Sequence, residues 1–396
     1  MSCIALVLTA CNHKNNTTQD AAFEQLIDAS LERAQIQALA MAEELKDSTA
    51  LLPKSLNGEG KLTTTDSGWW CSGFFPGVLW YLYEDSGNEE LKKYAGEYTA
   101  RVEKEQYNTG NHDVGFMINC RFGNGYRLTG NPEYREVMHT AAKSLSTRYK
   151  PETGLIRSWD HHQDRWNYPV IIDNMMNLEL LLEVADEYND STLRDIAISH
   201  ADKTLANHFR PDYSTYHVVS YNPETGEVEK KETFQGYADN STWARGEAWA
   251  LYGYTMMYDK TGEKKYLDAA KSIASFIIHH PNMPEDGIPY WDFDAPGQPD
   301  ALRDASAGAI MCSALIALSQ KVDEPLRNEY LAFAKKQLTT LSSDEYLAEP
   351  GTNGNFILKH SVGHLPGNSE VDVPLTYADY YFVEALTRYK KLMEKK

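Results

Sequence analysis

Hydrophobic and polar positions along this chain fall into two alternating kinds of segment. One kind is apolar on nearly every face and rich in aromatic and small residues: 74–84, 114–128, 170–188, 242–258, 305–319 and 374–389. The other is amphipathic and studded with Lys, Glu and Ala: 21–46, 89–108, 132–150, 192–209, 263–279 and 325–341. A helix without a wide polar stripe must be buried on most sides, whereas an amphipathic one covers a core and faces water. Short joints link the segments: D-S-G-N at 85–88, L-T-G-N at 128–131, Y-N-D at 188–190, K-T-G-E at 260–263 and V-D-E-P at 322–325. Glycine in such a joint suits a left-handed helix C-cap. Six apolar helices alternating with six amphipathic ones predict an all-α (α/α)6 toroid, its inner ring packed on itself and its outer ring facing water. No linker or composition break divides 21–396, which is therefore expected to be one domain. Strand signals are confined to 215–219 with 227–231, a hairpin across P-E-T-G, and to the loop 288–293. The stretch 52–67 reads as a loop.

The pattern meets chemistry at 166–190, W-N-Y-P-V-I-I-D-N-M-M-N-L-E-L-L-L-E-V-A-D-E-Y-N-D. Pro169 suits a first helical turn, and an apolar helix is expected from Val170 onward. Its first turns nevertheless carry Asp173, Asn174 and Asn177, and on an α-helix Asp173 and Asn177 share a face. A carboxylate entering apolar surroundings needs hydrogen-bonding partners or keeps its proton. Asp173 is thus either an acid whose pKa is raised by burial or a structural Asp favoured by the helix dipole. Asp113 occupies a comparable place, following a Gly-containing loop and opening D-V-G-F-M-I-N-C. Two carboxylates at matching positions on different inner helices would point into one cavity, an arrangement for acid–base work.

In a toroid, the loops entering the inner helices line one mouth of the cavity. Those loops hold Trp69, Trp70, Trp159, Trp166, Trp243, Trp249 and Trp291, seven of the eight tryptophans. Indoles beside carboxylates and a few Arg or His suit sugar rings, whose C–H faces stack while hydroxyls take polar partners. Any single Trp is more simply core packing at a helix end; the collective bias is what packing leaves unexplained.

Composition narrows the picture. A formal net charge of −19 repels nucleic acid and anionic membrane, so an acidic ligand would need Arg and His in a local pocket. His161-His162 and His279-His280 splay rather than converge, and no H-E-x-x-H or C-x-x-C occurs, so no metal is expected. G-N-G at 123–125 lacks the context of a nucleotide loop, and no G-x-S-x-G elbow appears. Cys71, Cys120 and Cys312 read as buried free thiols. Near the N-terminus, the apolar run 3–10 ends in L-T-A-C at 8–11 and is followed by N-H-K-N-N-T-T-Q-D. This resembles a bacterial lipoprotein signal, with residues 1–20 as signal and tether, 12–20 disordered, and Cys11 carrying the lipid; the alternative is a frayed apolar tail. On the lipoprotein reading the protein is periplasmic or anchored to the outer membrane, touching membrane only through Cys11.

Six ordered motifs make a more specific statement. They are S-G-F-F-P-G-V-L-W-Y-L-Y-E (72–84), H-D-V-G-F-M-I-N-C (112–120), Y-P-V-I-I-D-N-M-M-N-L-E-L-L (168–181), W-A-R-G-E-A-W-A-L-Y-G-Y (243–254), W-D-F-D-A-P-G-Q-P-D-A-L-R-D-A-S-A-G-A-I (291–310) and H-S-V-G-H-L-P-G-N-S-E-V-D-V-P-L-T-Y-A-D-Y-Y (360–381). From about residue 66 to the C-terminus the chain resembles the unsaturated glucuronyl hydrolases, glycoside hydrolase family 88. The resemblance implies Asp173 as general acid and base and Asp113 as the second essential carboxylate. It also implies His217, Gln235, Arg245 and Trp249 as holders of a uronate ring and its carboxylate, with Arg245 gripping bidentately. Trp159 and Trp69 or Trp70 are looser candidates for ring contacts. The implied substrate is a lyase-generated oligosaccharide, of glycosaminoglycan type, ending in a 4,5-unsaturated uronic acid; no cofactor is implied. Asp173 would protonate C4 of the vinyl ether and help water add at C5. Alternatives are an unsaturated rhamnogalacturonyl hydrolase on the same fold and a non-catalytic glycan-binding lipoprotein. A toroidal sugar epimerase would want a pair of His bases, and His217 lacks an obvious partner. The loop 351–368, with Lys359, Ser361 and His364, is where a sulfate preference would be set.

Overall fold

The structure, a computed structural model, describes residues 3–395, with side chains from Asp20 onward. Six outer helices, α1 (Cys3–Glu44), α3 (Glu89–Ala100), α6 (Pro132–Ser146), α8 (Ser191–Asn207), α10 (Lys264–His279) and α12 (Leu326–Leu341), surround an inner ring. The ring runs through α2 (Phe74–Ser86), the broken pair α4 (Val114–Ile118) and α5 (Asn124–Thr129), then α7 (Leu178–Tyr188), α9 (Ala244–Thr261), α11 (Ala305–Ser319) and α13 (Thr376–Glu394). Each inner helix packs on the next, and α13 returns onto α2 to close the circle. This is the (α/α)6 toroid that the alternation predicts. Burial follows the same division: every residue of α9 from Ala244 to Met257 is buried, whereas α10 buries one face only. The ring closes tightly because Gly77 carries no side chain: a Cβ there would stand 2.6 Å from the Cys120 carbonyl and 2.4 Å from the Tyr380 ring. The expected C-caps form at Gly87, Gly130 and Gly262, with φ of 66°, 66° and 71°, and Asn189 does the same at 53°.

The structure corrects several expectations. Helix α1 begins well before residue 21 and runs through the stretch expected to be a disordered tether. No Gly or Pro precedes Pro53, so nothing in the sequence stops the helix. The side chain of Cys11 lies outside the described residues. The loop expected at 52–67 holds a hairpin, β1 (Leu52–Leu56) with β2 (Leu62–Thr65). The end of 132–150 leaves α6 and forms β3 (Tyr149–Lys150), paired with β4 (Leu155–Ile156). The largest departure is at 170–188. Pro169, Val170 and Ile171 form a strand, β5 (Pro169–Ile171), followed by a 3₁₀ turn, Ile172–Asn177, before α7 starts. Pro169 has no N–H to give and the β-branched run packs well on a pleated surface. It finds a partner in β6 (Val218–Tyr221), itself paired with β7 (Val228–Glu232) as the sequence hairpin anticipates. Segment 114–128 is likewise interrupted by a π turn, Asn119–Gly123. The loop 351–368 leads into a hairpin of β8 (Ser361–His364) and β9 (Ser369–Val373).

Candidate active site

The N-terminal ends of the inner segments meet at one mouth of the ring. Trp70, just before α2, lies 5.7 Å from Phe116 of α4 and 4.8 Å from Tyr377 of α13, and Phe116 lies 5.1 Å from Trp249 of α9. Asp113 and Asp173 both open into this aromatic setting. Asp113 immediately precedes α4. Asn177 fixes it: the Asn177 Oδ1 accepts from the Phe116 N–H at 2.9 Å, which leaves its Nδ2 to donate to Asp113 Oδ1 at 3.3 Å. This contact requires Gly115, where a Cβ would sit 2.5 Å from the Asn177 Cα. Asn177 therefore serves Asp113, and on the 3₁₀ turn it does not share a face with Asp173 as an α-helix would have made it do. Burial raises the Asp113 carboxyl to about 7, against the opposing pull of Asn177 and Arg148.

Asp173 sits on the 3₁₀ turn with Oδ1 buried and without a hydrogen-bond partner. Burial raises its carboxyl to about 7 as well; Arg245 and the Trp249 indole N–H pull it down, and the negative charge of Asp113 pushes it up. The nearest cationisable group is His217, whose Nε2 stands 3.7 Å from Asp173 Oδ1. The backbone N–H groups of Phe234 and Gln235 donate to His217 Nδ1 at 3.1 and 3.2 Å, so the neutral ring must carry its proton on Nε2. Burial, aided by Arg245, holds His217 well below its ordinary pKa. The arrangement is a carboxyl able to hold a proton near neutral pH, faced by a neutral imidazole N–H whose tautomer the backbone dictates.

The other anticipated residues divide into two groups. Gln235 reaches the mouth and donates from Nε2 to the Gly363 carbonyl at 3.3 Å. Trp159 is half-buried, with its ring 5.9 Å from His217 and edge-on to it. Trp69 is 44% exposed and carries Lys54 Nζ 4.6 Å above its ring; Lys54 in turn pairs with Glu370 at 3.2 Å. Trp249 and Arg245 are fully buried. Arg245 does not offer a free fork to the cavity, contrary to the bidentate grip expected of it. Its two terminal nitrogens donate to Asp304 Oδ2 at 3.2 Å and to the carbonyls of Val362 and Gly363 at 2.5 and 2.6 Å. It acts on Asp173 through its charge and ties α9 to α11 and β8. Several tryptophans of the mouth are packing residues: Trp166 is buried and donates to Glu232 at 2.7 Å, and Trp291 joins a small core with Tyr290 and Val362.

Trp243, anticipated at the mouth, packs at 4.5 Å on His217. Sequence reasoning missed two contributors: His112 lies 3.4 Å from Asp113 Oδ2, and Lys54 comes from the N-terminal hairpin. The adjacency of His112 and Asp113 was the one visible signal. Among the described residues, no group of three or more His, Cys, Asp or Glu is placed to hold a metal ion.

Comparison with known proteins agrees with this fold. A structure described as an unsaturated glucuronyl hydrolase specific for heparin superposes with a TM-score of 0.91 at 46% identity, covering 94% of this chain and 98% of the other. The unsaturated glucuronyl hydrolase of Formosa agariphila is 48% identical over 327 residues, 82% of this chain and 81% of the relative. The unsaturated chondroitin disaccharide hydrolase of Streptococcus pyogenes is 31% identical, with 86% of each chain covered. The family model described as Glycosyl Hydrolase Family 88 matches residues 46–391, and the chain belongs to that family.

Proposed function

We propose that this protein is an exo-acting unsaturated glucuronyl hydrolase that removes a 4,5-unsaturated uronic acid from the non-reducing end of glycosaminoglycan-type lyase products. The observation that carries the reading is Asp173: a buried carboxyl raised to about 7, with one oxygen unpartnered, facing the N–H of a neutral His217. A proton held there near neutral pH is the reagent that an electron-rich vinyl ether needs. Asp173 gives its proton to C4, and the C4=C5 pair forms the new C–H bond, leaving positive charge shared between C5 and the ring oxygen. Ionised Asp113 stabilises that charge across the buried site. Water attacks C5 and returns a proton to Asp173. The resulting hemiketal opens to a ketone, and the hemiacetal left at C1 collapses to an aldehyde and frees the next sugar. Trp159 and Trp69 present ring faces to the sugars, and Gln235 and His217 offer polar atoms beside them. Arg245 supplies positive potential for the uronate without direct contact.

The test uses unsaturated disaccharides from chondroitin, hyaluronan, heparin and pectin lyases, following loss of the ultraviolet absorbance of the C4=C5 bond. Absorbance lost with wild type and kept with Asp173→Asn and Asp113→Asn is the expected result, and the ranking names the substrate. Preference for the pectic disaccharide identifies the rhamnogalacturonyl alternative. Tight binding with no absorbance loss on any disaccharide sinks the mechanism and leaves a glycan-binding protein.

The L-T-A-C stretch at 8–11 supports a second proposal, anchoring through a lipid on Cys11 in the periplasm or outer membrane. Radiolabelled palmitate incorporated by the wild type and not by Cys11→Ser is its expected signature.

A further inference from the structure

Behind the site, outer helix α8 carries His200, Thr204 and His208 at successive four-residue steps, so they form one stripe, the last residue being the helix C-cap. The stripe faces inward: all three are fully buried, and α8 packs on β4 and on the 3₁₀ turn that carries Asp173 and Asn174. Each member has a polar atom with no partner in the protein: His200 Nε2, Thr204 Oγ1 and His208 Nε2. So have the neighbouring Asn174, at Oδ1, and His112, which stands against Asp113. Buried polar atoms are rarely left unpaired, and a run of them on adjoining elements is the signature of internal water.

The local hydrogen bonds assign each group a direction. The Ile156 N–H donates to His200 Nδ1 at 3.0 Å, so a neutral His200 presents an Nε2–H donor. His208 donates from Nδ1 to the Tyr216 carbonyl at 3.2 Å, so a neutral His208 presents an Nε2 acceptor. Burial lowers both rings to about 3, so both are neutral at physiological pH. Thr204, between them, can donate and accept. Asn174 donates from Nδ2 to the Ile156 carbonyl at 3.1 Å, which leaves Oδ1 as an acceptor. Ile156 thus holds Asn174 and His200 side by side along one edge of β4. Neighbours four apart on a helix are separated by about 6 Å along its axis, a gap that one bridging water spans.

We propose that His112, Asn174, His200, Thr204 and His208 enclose a chain of internal water molecules that runs inward to Asp113 and hydrates its carboxylate from behind. The residues of the stripe are positioning residues, acting on the chemistry through Asp113. The charged and titratable groups that face the chain are Arg148, Asp160 and His161 around His112, Asp173 across from Asp113, and Lys231 beyond His208. The functional arm rests on the hydrolase reading above; the structural arm does not.

Thr204→Val, nearly isosteric and remote from the substrate, removes the middle link. A high-resolution crystal structure of the full chain is expected to show ordered water bridging Thr204 Oγ1 to His200 and His208, and the variant to lose it. With the carboxylate less hydrated, the acid limb of the kcat/KM profile, which reports ionised Asp113, moves up by about one pH unit, a tenfold loss below the limb. The alkaline limb, which reports protonated Asp173, stays in place. Space empty of density, together with a higher Tm for Thr204→Val because an unpaired hydroxyl has been removed, overturns the water chain. Ordered water with an unmoved acid limb overturns its link to Asp113. Inactivity of the wild type on every uronide strikes the hydrolase reading, and the density still decides the water chain.

Discussion

The two mouths of the toroid make a controlled comparison between space and chemistry. At the C-terminal ends of α2, α7, α9 and α13 lies a cavity of about 600 Å3, lined by Glu179, Glu183, Glu384, Lys260 and Arg388 among others. Its deepest carboxylate, Glu384, is saturated: Tyr81, Tyr252, Ser313 and Arg388 all donate to it, at 2.8, 3.0, 2.5 and 3.1 Å. Lys260 pairs with Glu183 at 2.8 Å. The opposite mouth holds Asp173, also buried, with an oxygen that nothing satisfies. A carboxylate whose lone pairs are taken is a structural tie, because each donor is lost if it moves. One that is buried and unpaired must bind a proton or a ligand. The number and direction of donors, not cavity size, separates Glu384 from Asp173.

The comparison can be broken most forcefully at its centre. Asp173→Asn keeps the size of the side chain and removes the transferable proton, so kcat should fall by about 10³-fold or more, read by absorbance loss at saturating disaccharide. The counterpart is Glu384→Ala, which leaves Arg388 buried without its partner. It should destabilise the fold by about 3 kcal/mol, seen as a lower denaturation midpoint, while activity per folded molecule is retained. Swapped phenotypes would invert the assignment of the two mouths.

A smaller effect sharpens the same contrast through pH. Asp173 titrates near 7 in the folded chain against an ordinary 3.8. Between those values the folded chain holds a proton that the unfolded chain has lost, so this group's contribution to stability falls as pH rises through the window and levels off above it. Asp173→Asn cannot ionise. It should be more stable than wild type at pH 8 and should converge with it below about pH 4, as chemical denaturation at each pH would show. The smallest effect belongs to the rim: Trp69→Ala should raise KM about fivefold and leave kcat unchanged, since an exposed indole that stacks on sugar binds ground and transition states alike.

Some of the site was legible because it is local. Asp113 and Asp173 stood out as lone carboxylates at the starts of apolar segments, and burial against neighbouring inner helices is what raises both. The role of Arg245 was not legible, because its partners Asp304, Val362 and Gly363 are 59 to 118 residues away. The partnership of Asn177 with Asp113 spans 64 residues and depends on a missing Cβ at Gly115, which no spacing rule reveals.

By itself the sequence determined the toroid, the sizes of its two rings, the C-caps and the two carboxylates, because helical periodicity, glycine and isolated charge in an apolar run are properties of neighbouring residues. Only the tertiary structure decided that 169–177 would be strand and 3₁₀ turn rather than helix. The reason is that β6, brought from nearly 50 residues away, offers β5 hydrogen-bond partners that the first turn of a helix could not. That same strand delivers His217 to Asp173, and with it the proton-holding pair on which the proposed chemistry depends.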